Sequence, residues 1–141
     1  MQETFVTEPK YISPIVNLKS YMAFLPAVLV AAGIAILSLW ENPQMPETVA
    51  VNDKLVHALM YAVLALALMA AFVSLRRTTF AVYLSVWTLV TAYGALIEIL
   101  QRFCTLSRSG EMADLYADAL GALIGIACVF IYRIIKKASD F

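Results

Sequence analysis

"YMAFLPAVLVAAGIAILSLW", Tyr21 to Trp40, decides the fold class: twenty residues without an ionisable side chain other than the terminal tyrosine, bounded by aromatic residues at both ends. A bilayer core needs roughly 20 apolar residues per spanning helix, and tyrosine and tryptophan collect where such a helix meets the headgroups. Three more apolar segments follow, at about 55–75, 80–100 and 115–135, stopped by Arg76 and Arg77 after the second and by Lys136 and Lys137 after the fourth. None alternates polar and apolar residues as a barrel strand does, so each reads as a helix. The chain is expected to be an all-α integral membrane protein with four transmembrane helices.

Composition agrees. Of the 141 residues, 62% are hydrophobic and 14% charged, with a mean hydropathy of +0.82, which is outside the range of an average soluble domain. Ten acids balance ten bases, so no basic surface argues for nucleic acid. Two cysteines are too few for a disulfide framework. Cys128, inside an apolar run, is expected as a small buried thiol. Pro26 is expected near a helix start, where a missing N–H is best tolerated. Some twenty largely polar residues precede the first segment and no A-x-A site closes it, so a retained anchor is expected rather than a signal peptide.

Lysine and arginine favour cytoplasmic loops. Both termini inside would put Lys10, Lys19, Arg76, Arg77, Arg133, Lys136 and Lys137 in the cytoplasm and leave Lys54, Arg102 and Arg108 outside. The resulting division is a cytoplasmic segment 1–20, a membrane domain 21–137 and a cytoplasmic tail 138–141.

This topology gathers the ionisable residues on the outer side: Asp53, Lys54 and His57 open the second helix, Glu98, Gln101 and Arg102 end the third, and Arg108, Glu111, Asp114 and Asp118 follow. Charges near a bilayer core are costly, so such groups either satisfy one another or line a wet site. Asp53, His57 and Tyr61 are spaced by four and share a helix face. Glu98 and Gln101 share another, and Asp114, Asp118, Gly121 and Gly125 descend the fourth helix.

Each residue has a plain structural role beside a functional one. Asp53 could cap its helix; Lys54 and Arg102 could snorkel; Tyr61 could make an interhelical hydrogen bond; the glycines are expected where helices pack closely. His57 needs both a donor and an acceptor partner when neutral. A carboxylate at Glu98 needs Arg108, His57 or a proton to be tolerated. Arg108 could clamp Asp114 or receive an anion. The set Asp53, His57, Glu98, Asp114 and Asp118 is oxygen-rich and would suit Mg²⁺, Mn²⁺ or Ca²⁺, yet no metal motif with strong spacing is present, and neither a metal nor a cofactor is expected.

Taken together, "DKLVHALMY" (53–61) has the form D-K-x-x-H-x-x-x-Y, "EILQ" (98–101) the form E-x-x-Q, and "RSGEMADLYADALGALIG" (108–125) is similar to R-x-x-x-x-x-D-x-x-x-N-x-x-G-x-x-x-G. In this order the chain resembles the VanZ-like family, whose namesake is associated with resistance to the glycopeptide teicoplanin. The departure is Asp118, where the family pattern usually has asparagine. The resemblance implies a multi-pass protein of the bacterial plasma membrane but no established reaction.

Two classes of function stay open. In one, the protein binds or acts on an anionic lipid or a lipid-linked cell-wall intermediate, or meets the glycopeptide, with His57, Glu98 and Asp114 as candidate catalytic groups and Asp53, Lys54, Tyr61, Gln101, Arg108 and Asp118 as candidate ligand-binding groups. In the other, the cluster is a packing network in a small transporter or accessory subunit, a chain small enough to need a homo-oligomer to enclose a path.

Overall fold

A computed structural model describes residues 14–40, 50–105 and 111–140. These form four helices: α1 (Pro14–Leu39), α2 (Ala50–Ser74), α3 (Phe80–Cys104) and α4 (Met112–Ser139). All four are long and apolar enough to cross a membrane. Each outruns its apolar segment because backbone hydrogen bonding does not stop where hydropathy drops. A helix of 25 residues, such as α2 or α3, is about 38 Å long, more than the roughly 30 Å of a bilayer's hydrocarbon core.

The ends have identifiable causes. Pro14 opens α1, where its missing N–H costs nothing, whereas Pro26 lies inside the helix. The expectation that Pro26 sits near the start is therefore corrected: the polar residues before Tyr21 are already helical. At the end of α2 the Arg77 N–H donates to the Phe72 carbonyl and Arg76 N–H to that of Val73, with Arg76 at φ 56°. This is a Schellman stop whose left-handed position, usually a glycine, holds an arginine. Thr79 caps α3 by accepting from the Val82 N–H at 3.4 Å.

Ring and hydrogen-bond contacts give the helix directions. Phe24 meets Phe72 edge-on at 5.2 Å, joining the start of α1 to the end of α2. The Arg133 guanidinium donates to the Tyr83 hydroxyl at 2.8 Å, joining the start of α3 to the end of α4. Gln101 near the end of α3 bonds Ser38 near the end of α1, so α1 and α3 run one way, α2 and α4 the other. One end of the bundle carries Arg76, Arg77, Arg133, Lys136 and Lys137; the other carries Asp53, Lys54, His57, Glu98, Glu111, Asp114 and Asp118.

The core is built around α2, whose Tyr61, Leu64, Ala65 and Met69 pack with Ala27 and Ile34 of α1, Val86 and Val90 of α3, and Ala122 and Ile126 of α4. Around it, Leu25, Leu29, Leu59, Leu89, Ile99, Leu123 and Ile131 face outward, a perimeter suited to lipid rather than water. An apolar groove between α3 and α4, lined by Tyr83, Trp87, Leu123 and Phe130, belongs to this perimeter. Cys128 is also on the outside, correcting its expected burial: it faces away from the bundle.

The most extensive packing joins α2 to α4. A Cβ on Gly121 would run into the Ala58 carbonyl, and one on Gly125 into that of Ala62. The two glycines therefore serve backbone approach, as small residues at membrane helix contacts do. That approach sets the depth at which His57 of α2 meets Asp118 of α4.

Candidate functional site

Three successive levels of α2 enter the site. Asp53 and Lys54, in the first turn, are half-buried; His57 is one turn deeper and 2% exposed; Tyr61 is fully enclosed. Since α2 begins at Ala50, Asp53 complements the helix dipole from within the first turn rather than from the cap position.

The centre is a contact between helices. His57 Nδ1 lies 3.0 Å from Asp118 Oδ1 and 3.7 Å from Glu98 Oε1. Asp118 is 0% exposed and Glu98 8%. His57, Glu98 and Asp118 each offer a ligand atom within 4.8 Å of the others, as do Asp53, His57 and Asp114. His57 is thus the common member of two overlapping triads.

Glu98 has two separate engagements. Its Oε2 accepts the backbone N–H of Glu111 at 3.0 Å, where Glu111 is the residue that caps α4 without a side-chain bond of its own. A carboxylate from α3 therefore satisfies a free N–H at the start of α4 and complements its dipole. Its Oε1 has no hydrogen-bond partner among the described residues and faces the His57 nitrogen.

Of the four further buried atoms unpartnered among the described residues, Asp118 Oδ2 and the Tyr61 hydroxyl belong to this cluster, while Ser38 Oγ and Thr91 Oγ1 do not. The interhelical hydrogen bond expected of Tyr61 is not formed there. Its ring instead lies nearly parallel to that of His57, with centroids 6.4 Å apart, and at 6.3 Å from Tyr93. Buried polar atoms usually find partners, so three orphans in one small volume mark the cluster as unfinished.

At the rim, Lys54 Nζ reaches Asp114 Oδ1 and Glu111 Oε2, both at 3.3 Å. Asp114, 6% exposed, thus takes Lys54 as its cation. Arg108, expected as an anion receptor or a clamp on Asp114, lies outside the described residues. Gln101 is buried elsewhere in the network: its amide donates to the Ser38 carbonyl at 3.0 Å, tying the ends of α3 and α1 together. Arg102 is exposed.

Sequence spacing missed Gly94, and it gathered Glu111 on the outer side without a role. A Cβ on Gly94 would stand 2.6 Å from Asp118 Oδ2 and 3.1 Å from Tyr61 Cε1, so its bareness admits both side chains. Its signal was available: Gly94 and Glu98 are four apart, on one face. Glu111 contributes its carboxylate to Lys54 and also a main-chain N–H to Glu98, which residue type does not advertise.

Chemically, the cluster brings one imidazole against two buried carboxyl groups, with Asp53 and Asp114 beside it and one lysine above. It can exchange protons or hold a cation; the described groups alone are too acidic in balance to receive an anion without a positive partner.

No curated protein and no solved structure matches the chain. The VanZ/LLP1 family profile matches residues 7–135, a span that contains all four apolar segments and every residue of the cluster. With four helices able to cross a membrane, this is a multi-pass architecture, and the chain belongs to the VanZ/LLP1 family.

Proposed function

We propose that the protein sits in the bacterial plasma membrane with both termini in the cytoplasm and binds, at the outer end of its bundle, the headgroup of an anionic lipid or lipid-linked cell-envelope intermediate. The separation of the bundle ends supports the orientation: Arg76, Arg77, Arg133, Lys136 and Lys137 share the end that carries the start of α1, as positive residues do on the cytoplasmic side.

The observation that carries the functional reading is the incomplete satisfaction of the buried cluster. Glu98 Oε1, Asp118 Oδ2 and the Tyr61 hydroxyl are left without hydrogen-bond partners among the described residues; the two carboxylate oxygens call for donors such as headgroup hydroxyls, and Lys54 and Arg108 for the phosphate. Lys54, with its side chain 44% exposed although paired with Glu111 and Asp114, supports the reading as a cation that a phosphate would meet at this end. His57, with Glu98 and Asp114, supplies acid–base groups should the headgroup be altered chemically. The family's association with teicoplanin, which acts at the outer membrane surface, fits a protein that engages headgroups there.

A second reading, a packing network in an accessory or transport subunit, draws on Gln101 and Glu98, each of which joins two helices. Native mass spectrometry of the full chain separates the two. Retention of phosphatidylglycerol over phosphatidylcholine, reduced in Lys54→Ala and Arg108→Ala while thermal stability holds, is the expected result. Equal retention of both lipids by wild type and variants overturns the headgroup reading.

A further inference from the structure

We propose that His57, Glu98 and Asp118 form a binding site for a divalent cation of the Mg²⁺ or Mn²⁺ class. The three residues come from three different helices, and their ligand atoms lie within 4.8 Å of one another in a fully buried setting. Donor atoms each about 2.1 Å from one ion stand about 3.0 Å apart at a right angle and about 3.4 Å apart at the tetrahedral angle. The observed separations from His57 Nδ1, 3.0 Å to Asp118 Oδ1 and 3.7 Å to Glu98 Oε1, bracket that geometry. An ion fits between them with small side-chain movements.

The unpartnered atoms point the same way. A carboxylate oxygen with no donor is costly in a low-dielectric interior, and Glu98 Oε1, on a side chain 8% exposed, has none among the described residues while facing the imidazole. Asp118 is 0% exposed and has a second oxygen equally unpartnered. A cation at Nδ1 satisfies Oε1 directly and lets Asp118 turn either oxygen toward it. Glu98 Oε2 remains bound to the Glu111 N–H, which fixes the ligand's orientation as outer-shell hydrogen bonds do around metals.

One nitrogen and two carboxylates favour a hard or borderline cation and leave positions open. Asp53 and Asp114, on the His57 side of the cluster, can orient water in those positions. Such an ion also resolves the charge conflict in the headgroup reading: a phosphate oxygen can take an open position on the cation although the surrounding side chains are acidic. Only that last step rests on the headgroup reading; the cation site rests on its own three residues.

The test is Mn²⁺ binding to the full chain in lipid nanodiscs, stripped first with EDTA and read by electron paramagnetic resonance. One Mn²⁺ per chain is expected, with electron-spin-echo modulation from a directly bound imidazole nitrogen, because His57 is the sole histidine. Glu98→Gln should weaken binding roughly tenfold or more while elution and helicity stay as in wild type. Asp118→Asn, close in shape, serves as the second variant should Glu98→Gln fail to fold, with the same expected loss. No stoichiometric Mn²⁺, Mn²⁺ lacking nitrogen modulation, or unchanged affinity in folded variants overturns the site. Lipid retention measured on the same samples keeps the outcomes apart: cation without lipid ends the headgroup reading alone, and lipid without cation ends the metal site alone.

Discussion

Asp118 Oδ2 lies 2.6 Å from the point that a Cβ on Gly94 would occupy. Helix α3 is bare at the turn where α4 inserts its buried carboxylate, and the closest approach is to a side chain rather than to backbone. Gly94→Ala should therefore displace Asp118 or Tyr61 and lower stability by about 1–3 kcal/mol, the usual cost of overpacking. Gly33→Ala, where nothing lies within 4 Å, should leave the thermal midpoint in detergent unchanged or slightly raised. A neutral Gly94→Ala would show that the neighbouring rings yield freely.

Gly121→Ala is expected to be more damaging than Gly94→Ala. Its obstacle is the Ala58 carbonyl, part of the α2 backbone, which cannot rotate away. The added methyl must separate α2 from α4 and so lengthen the His57–Asp118 contact. Thermal unfolding of the two alanine variants side by side checks the order; the reverse order would count against close α2–α4 packing.

Gln101→Leu should cost on the order of 1 kcal/mol, by removing the buried hydrogen bond that the Gln101 amide donates to the Ser38 carbonyl and leaving that carbonyl without it. The loss should appear at α1, as faster proteolysis or hydrogen exchange near its C-terminal end. Phosphatidylglycerol retention should be unaffected, because Gln101 ties helices together here. A selective loss of lipid at unchanged stability would return Gln101 to the ligand-binding set.

Arg76 at φ 56° predicts a stabilising substitution. A non-glycine residue in the left-handed region costs roughly 1–2 kcal/mol, so Arg76→Gly should raise the thermal midpoint while Arg76→Ala should not. An equal response of the two would mean that the turn is unstrained.

Orientation can be read from the native cysteines, both exposed on the bundle. Cys104, in the last turn of α3 beside the acidic end, should react with a membrane-impermeant maleimide added outside intact spheroplasts. Cys128, midway along α4 on the outside of an apolar span, should not. Labelling of Cys104 only in inverted vesicles would reverse the topology.

The four helices were legible because hydropathy alone reports a bilayer-length segment, and the stripe of Asp53, His57 and Tyr61 was legible because helical spacing puts it on one face. Which face looks inward was harder to read. Lipid and a membrane protein's core are equally apolar, so sequence does not distinguish a thiol packed on a neighbour from one on the bundle's surface, and Cys128 lies on that surface. The partners of Gln101 and Glu98 were hidden for another reason: each is a main-chain atom, a Ser38 carbonyl and a Glu111 N–H, and main-chain atoms look alike at every position. Pro26 misled because helix α1 continues through polar residues that hydropathy excludes.

The divided engagement of Glu98 has a mechanical consequence. One oxygen holds the first N–H of α4 while the other faces the imidazole cluster, so a single carboxylate spends its charge in two directions. Whatever draws electron density toward Oε1 loosens the grip of Oε2 on the Glu111 N–H. The two contacts are coupled through one group, so neutralising it as Glu98→Gln would be felt both at the imidazole and at the point where the chain re-enters the bundle at α4.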